Sequence, residues 1–282
     1  MSKIAVIGIA GESVFLSVDS FGKTGETAVA TSFHCELGGK GFNQALACAR
    51  YGAEVCFLGA CYHEDKENFS KIALNHGVTP FFATKNERSP YAVITTDKAG
   101  DNKVLVYRGA ELCVDDLTCF IDQIKSADIL LINNETPIEV NEKAVEIAKT
   151  NGVKVILNPA PQREHDSYFL DKIDLFTPNE HEIGGLQNYN NVVVTLGEKG
   201  CLIKNTNQII PAQKVDKVVD TTGAGDTFNG VLAGCLAEGE DILSACKKAN
   251  IGSAIKVGRK YILDSIPTRQ EIEKYQKEQK NG

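Results

Sequence analysis

The 282-residue chain carries a net charge of −7, with 43% hydrophobic and 24% charged residues. That is enough chain for one large α/β domain of ordinary globular composition. The acidic balance speaks against nonspecific nucleic-acid binding, which needs a basic surface, and no apolar run is long enough to span a bilayer, so neither a nucleic-acid nor a membrane partner is expected.

Met1-Ser2-Lys3 leads directly into the apolar run Ile4–Ile7 with no secretory signal pattern. The nine cysteines are scattered and form no C-x-x-C pair. Several sit in apolar runs, where Cys behaves as a small hydrophobe, and this usage fits a reducing cytoplasm better than a disulfide framework or a zinc site.

Short β-branched runs predict strands at Lys3–Ile7, Glu54–Leu58, Asp128–Ile132, Lys154–Leu157, Leu175–Phe176, Val192–Thr195 and Cys201–Lys204. Between them, apolar residues at helical spacing predict helices over Phe42–Tyr51, Val140–Thr150, Asp226–Glu238 and Ile242–Lys256. Such alternation favours a mostly parallel sheet with helices on both faces. Two stretches interrupt it. Glu12–Phe33 and Tyr91–Tyr107, the second a hairpin turning over Asp97–Asn102, read as antiparallel strands of a small β lid outside the main sheet. The charged tail Gln270–Gly282 reads as a fraying helix. No repeat or low-complexity linker divides residues 1–282, so one domain is expected.

The richest string is Asp220-Thr221-Thr222-Gly223-Ala224-Gly225-Asp226-Thr227-Phe228-Asn229-Gly230. Small residues at Gly223, Ala224 and Gly225 would form the first turn of a helix, where unpaired N–H groups and the helix dipole make an anion pocket. Asp226 would sit at that same helix start. A carboxylate beside an anion pocket is electrostatically costly; capping the helix is one reason for it, and accepting a proton from an attacking hydroxyl is another. The whole string favours the second. Upstream, Gly38-Gly39-Lys40-Gly41-Phe42-Asn43-Gln44-Ala45 puts three glycines at a helix entry. There a ligand can approach the backbone closely, Lys40 can meet a phosphate, and Asn43 can bond sugar hydroxyls.

These two strings resemble the two signatures of the ribokinase-like (PfkB) carbohydrate kinases, the second usually reading D-T-x-G-A-G-D. Leu157-Asn158-Pro159-Ala160-Pro161 and Thr177-Pro178-Asn179-Glu180-His181-Glu182 resemble further family motifs, and the likeness runs from Lys3 to Pro267. It implies a three-layer α/β sandwich with a β lid, through which relatives often dimerise. The implied reaction is ATP-dependent phosphorylation of a sugar hydroxymethyl group, with ribose as the first candidate acceptor and Asp226 as base. Gly39, Lys40, Asn43, Glu135 and Ser13 would face the sugar. Asn179, Thr195, Gly197, Gly200 and Asn250 would border ATP, and Glu182 would hold Mg²⁺ through water, an ion that needs few protein carboxylates. Asp220 and Thr222 would form half of a site for K⁺ or another monovalent cation.

The string departs from the family at three informative places. Ser13 stands where ribokinases carry a sugar-binding aspartate, with Glu12 next to it. Tyr261 lies in Arg259–Ser265, which replaces a customary Gly-Ala pair in the second half of the cation site. In Cys61-Tyr62-His63-Glu64-Asp65, His63 replaces the usual glycine. Apart from these departures, Arg108 on the lid would suit a sugar phosphate. Nucleosides or pseudouridine, fructose and sugar phosphates are therefore the other acceptors to weigh. A catalytically inactive sugar-binding regulator is the reading from a different class.

Overall fold

The computed structural model describes residues 1–99 and 101–281. Strand β1 (Lys3–Ile7) is followed by β2 (Gly11–Val18), β3 (Ala30–Gly38), α1 (Lys40–Tyr51), β4 (Glu54–Tyr62), α2 (Lys66–Asn75) and β5 (Val78–Lys85). The hairpin β6 (Tyr91–Thr96) and β7 (Asn102–Tyr107) leads to α3 (Ile121–Ser126), β8 (Ile129–Asn133), α4 (Ile138–Thr150), β9 (Lys154–Asn158), α5 (Ser167–Leu170) and β10 (Leu175–Phe176). The C-terminal third holds β11 (Val193–Thr195), β12 (Cys201–Ile203), β13 (Gln208–Ile210), α6 (Ala224–Ala237), α7 (Ile242–Val257) and α8 (Arg269–Asn281).

Six strands form a parallel sheet in the order β10-β9-β8-β1-β4-β5. Its central strands are mostly apolar because both faces are covered. Successive residues point to opposite faces: Ala5, Ile7, Leu130 and Ile132 enter one core, and Ile4, Val6, Ile129 and Leu131 enter the other. Parallel bridges Phe176↔Val192 and Asn179↔Thr195 carry the sheet on to the antiparallel β11-β12-β13.

The lid is a separate four-stranded sheet in the order β3-β2-β6-β7. Both expected stretches supply it, with two corrections. The first stretch makes two strands, the second of which runs on to Gly38, and β2 pairs with β6 in parallel rather than antiparallel fashion. Strands from two distant chain segments are not constrained by a hairpin turn, so direction is set by which edges meet. Gly100, within the expected hairpin turn, and Gly282, at the end of the expected tail helix, lie outside the described residues.

Helices α1 and α6 touch backbone to backbone. A Cβ at Gly230 would fall 2.3 Å from the Ala47 Cβ and 2.6 Å from the Gln44 carbonyl oxygen, and one at Gly234 would fall 2.6 Å from the Tyr51 ring. This contact sets the first turns of the two helices side by side. Gly230→Ala should therefore cost about 1–3 kcal/mol, the usual range for overpacking, read as a lower denaturant midpoint at unchanged m-value. An unchanged midpoint would show that the helices can separate freely.

Candidate active site

The segment entering α6 is wound by its own side chains. Asp220 Oδ1 accepts the Thr222 N–H at 2.9 Å, Gly223 turns at φ 74°, and the Gly223 carbonyl accepts both the N–H (2.8 Å) and the Oγ1 hydroxyl (2.9 Å) of Thr227. The Ala224 N–H is turned back to the Thr221 carbonyl at 3.2 Å. Ala224 thus differs from the sequence expectation: its amide serves the turn. The first-turn N–H groups of Gly225 and Asp226 have no carbonyl a turn behind them within the helix. Nothing would lie within 4 Å of a Cβ on Gly225, so packing does not explain this glycine.

Asp226 is 6% exposed and points across to α1. Its Oδ2 accepts the Asn43 Nδ2–H at 2.9 Å, its Oδ1 accepts the Gln44 Nε2–H at 3.4 Å, and the Lys40 Nζ lies 3.7 Å from Oδ1. The N-terminus of α1 is fixed by Gly39, which turns at φ 102° where a Cβ would lie 2.5 Å from the Ile9 carbonyl oxygen. The Lys40 N–H donates to Glu135 Oε2 at 3.3 Å. The Asp226 carboxylate, reinforced by Glu135 and Glu182, holds the Lys40 ammonium above the usual lysine value against the opposing effect of burial. Burial pushes the Glu135 carboxyl above its usual range, and neighbouring Lys40 draws it partly back. Lys40, Asn43, Glu135 and Asp226 therefore share one chamber, gathered from residues up to 186 positions apart.

Ser13 is buried on β2, and a Cβ at Gly38 would fall 2.5 Å from its hydroxyl. Glu12, on the opposite face of the strand, is exposed, so it does not substitute for Ser13. Glu135 also lines a cleft with Gly8, Ile9, Ala110, Glu111 and Thr136. Arg108 lies on the surface, 3.9 Å from Glu111.

A chain of buried amides backs Asp226. Gln44 Nε2 donates to Asn158 Oδ1 at 3.1 Å, Asn158 Nδ2 to the Thr177 carbonyl at 2.8 Å, the Thr177 hydroxyl to Asn229 Oδ1, and Asn229 Nδ2 to the Gly225 carbonyl at 2.9 Å. Four buried side-chain atoms around the chamber have no hydrogen-bond partner: Asn43 Oδ1, Gln44 Oε1, Asn133 Nδ2 and Thr136 Oγ1. Sequence reading finds Asn158 and Thr177 only as parts of motifs and assigns no role to Gln44 or Asn229. Their link to Asp226 is purely tertiary, and an amide inside an apolar helix stripe was the available signal.

The second group of expected residues lies along β10, β11 and α7. Asn179 Oδ1 accepts the N–H groups of His181 (2.8 Å) and Glu182 (2.9 Å), and Glu182 Oε2 accepts the Asn179 N–H at 3.1 Å. This reciprocal pairing fixes the Glu182 side chain where it acts on Lys40. The Thr195 N–H donates to the Pro178 carbonyl at 2.8 Å, which ties this turn to the next one. Gly197 and Gly200 both have positive φ, 57° and 96°, and the Leu196 N–H closes the turn on the Gly200 carbonyl at 2.8 Å. Asn250 Nδ2 donates to the carbonyls of Ile210 (3.0 Å) and Pro211 (3.1 Å), so its amide hydrogens hold the chain leaving β13.

Asp220 and Thr222 stand apart from both groups. Asp220 Oδ2 accepts the Tyr261 N–H at 3.0 Å, and the fully buried Lys256 ammonium donates to the Asp220 carbonyl at 3.0 Å. Burial pulls Lys256 below the usual lysine value, while the carboxylates of Asp220, Glu36 and Asp226 pull it back. Lys256 and Glu36 were not foreseen in the sequence. Among the described residues no cluster of three or more His, Cys, Asp or Glu side chains is arranged to hold a metal ion, and no helix is long and apolar enough to cross a membrane.

Comparison with known proteins gives a consistent answer. The model of the pfkB family carbohydrate kinases matches residues 1–269. The chain is 34% identical to the ribokinase of Haemophilus influenzae, over 95% of this chain and 96% of that protein. Its fold superposes on the ribokinase of Thermotoga maritima with a TM-score of 0.86 at 31% identity, covering 98% of this chain and all of that one. It likewise matches the ribokinase of Arabidopsis thaliana, solved with ribose and ATP, with a TM-score of 0.83 at 26% identity over 97% and 98% of the two chains. The chamber built around Asp226 therefore lies in a protein that belongs to the pfkB family of carbohydrate kinases.

Proposed function

We propose that this chain transfers the γ-phosphoryl group of ATP to the hydroxymethyl oxygen of ribose, with residues 1–282 acting as one kinase domain. The observation that carries the reading is the Asp226 carboxylate, 6% exposed, oriented by Asn43 at 2.9 Å and set at the N-terminus of α6 beside the open face of Gly225.

Asp226 accepts the proton of the attacking hydroxyl as the new P–O bond forms and the γ-phosphoryl leaves ADP. Asn43 and Gln44 hold the carboxylate in place, and the link from Gln44 through Asn158 to Thr177 keeps that geometry during the reaction. The amides of Gly223 and Gly225 and the Lys40 ammonium face the negative charge on the transferred group. Fixed dipoles and charges of this kind supply most of the rate in phosphoryl transfer. Ala224, whose amide closes the turn, contributes by shaping the pocket. Lys40, held charged by Asp226, cannot compete for the proton.

The sugar lies against Gly39, Lys40, Asn43, Ser13 and Glu135, under the lid. The unpartnered polar atoms of Asn43, Gln44, Asn133 and Thr136 support a hydroxyl-rich ligand, since buried polar atoms are nearly always paired. ATP borders Asn179, Thr195, Gly197, Gly200 and the Asn250 segment. Glu182 would hold Mg²⁺ through water; its single half-buried carboxylate fits an ion that keeps most of its waters, and the ion would offset phosphate charge. Arg108, largely exposed beside Glu111, lies close enough for its charge to act on Glu135, which leaves a sugar phosphate as the second acceptor to test.

The lid carries a second copy of the chain in this reading. Phe33, Val104, Leu105, Val106 and Tyr107 are all exposed, an apolar sheet surface of the kind that marks an interface. The chain works in the cytoplasm, in keeping with free thiols at all nine cysteines.

Purified protein with Mg²⁺-ATP should release ADP with ribose in preference to nucleosides, pseudouridine, fructose or sugar phosphates. Binding of ATP and sugar without turnover on any acceptor would favour an inactive regulator. Asp226→Asn should lower turnover by at least ~10²-fold, the scale of a positioned general base, and near-normal turnover would remove Asp226 from that role. Gly225→Ala has room for its methyl group and a better helix former, so the melting temperature should hold. Turnover should nevertheless fall by about tenfold or more through the misplaced phosphoryl group; full activity would remove Gly225 from the cradle. Leu105→Asp should convert a dimer to a monomer in light scattering, and a wild-type chain that is already monomeric would exclude the lid interface.

A further inference from the structure

Among the described residues, Lys256 is the one fully buried lysine whose charge the proposed chemistry does not use, and its surroundings are built for a cation. It stands near the C-terminal end of α7, where its neighbour Val257 accepts the N–H groups of Val219 (2.7 Å) and Asp220 (3.2 Å) through its carbonyl. Its side chain is 0% exposed. The ammonium donates to the Asp220 carbonyl at 3.0 Å and lies 3.9 Å from Asp220 Oδ2. A Cβ on Gly223 would lie 3.8 Å from the Lys256 Cε, so the stem of the lysine packs beneath the turn that opens α6.

A second carboxylate closes the arrangement. Glu36, from lid strand β3, has a side chain only 6% exposed. It accepts the Ile262 N–H at 2.6 Å and the Leu263 N–H at 3.2 Å, and the His34 ring nitrogen lies 3.3 Å away. The Tyr261 N–H goes to Asp220 Oδ2 at 3.0 Å. Three successive amides of one loop thus end on two carboxylates, and Lys256 supplies the positive charge that both require. Tyr261 turns through a left-handed conformation, φ 63°, which is costly for a residue with a side chain. Its ring stacks on His34 with centroids 3.7 Å apart and an interplanar angle of 16°, so the lid holds this turn in place.

We propose that the Lys256 ammonium is the permanent cation of the loop framing the anion pocket, and that the chain neither binds nor needs K⁺ there. A monovalent metal ion would draw on the same Asp220 oxygens, which are already committed to the ammonium and to the amides of Thr222 and Tyr261. It would also stand against a like charge in a site shielded from water, where repulsion is little screened. Asp220 and Thr222 therefore do not fit the expected cation site. Lys256 is a positioning residue: it fixes the Asp220 backbone and, through it, the turn at Gly223. The catalytic consequence rests on the kinase reading; the binding consequence does not.

Thallous ion, a K⁺ surrogate observable by thallium NMR, tests the binding directly on the wild-type chain. No K⁺-competed thallium binding is expected, and ADP release with ribose should stay within about twofold when K⁺ is replaced by N-methylglucamine, since an ion without a site shifts no equilibrium. Lys256→Ser should lose about tenfold or more of turnover through the loosened turn, recover with K⁺ or ammonium, and gain K⁺-competed thallium binding. K⁺-competed binding or strong K⁺ activation in the wild type would overturn the proposal, as would a folded Lys256→Ser chain that is fully active without K⁺. If that variant does not fold, the wild-type thallium titration decides alone. If no acceptor is phosphorylated, the kinase reading fails while the thallium result still decides this one.

Discussion

The contact between α1 and α6 sets the dimensions of the whole site. Gly230 lets α6 approach the backbone of α1 closely, and Gly234 makes room for the Tyr51 ring. Only at that separation can the short amides of Asn43 and Gln44 reach the carboxylate of Asp226. A single added methyl group would displace the Gln44 backbone, and with it the donor that links Asp226 to Asn158. The glycines of the helix interior cost local helix stability, and close packing offsets that cost. Their sequence signature is weak because the reason for them lies on another helix.

Charge balance explains why a chamber with so many acids can exist. Lys40 is surrounded by Asp226, Glu135 and Glu182, each of which stabilises its charged form. Asp226 receives two side-chain N–H donors besides Lys40. Glu135 has a weaker share, one backbone N–H from Lys40, and burial shifts it toward the neutral acid. Two carboxylates of one chamber thus sit in different environments: Asp226 among a fixed set of donors, Glu135 dominated by its burial. The same logic recurs below α6, where Lys256 balances Asp220 and Glu36.

Much of this was legible in the sequence wherever function and local structure share the same residues. The Gly223–Asp226 string is a helix start whose small residues and acid also suit an anion site, so the string itself pointed to it. Strands β1 and β10 fall at their expected bounds, because a run buried on both faces is apolar throughout. Strand β5 escaped the sequence reading: Pro80 breaks its pattern, and an edge strand can carry a proline that an inner strand cannot. Helix α2 escaped because only Phe69 and Ala73 are buried, too thin a stripe to show periodicity. Glu36 meets Ile262 across 226 positions, and no spacing rule carries information over that distance. The parallel pairing of β2 with β6 was hidden for the same reason.

The lid is wired into the floor of the chamber through β3. Strand β3 delivers Glu36 and His34 to the 261–263 loop and then passes through Gly38 and Gly39 directly into α1. Any shift of β3 must therefore be absorbed at that glycine pair or passed on to Lys40 and Asn43. Gly39 already turns at φ 102° against the Ile9 carbonyl, where a side chain would not fit. The pair can rotate, but little space surrounds it. Rotation there changes the entry angle of α1, while translation would strain the contact with α6. The same two glycines thus form the joint through which the position of the lid reaches Asp226.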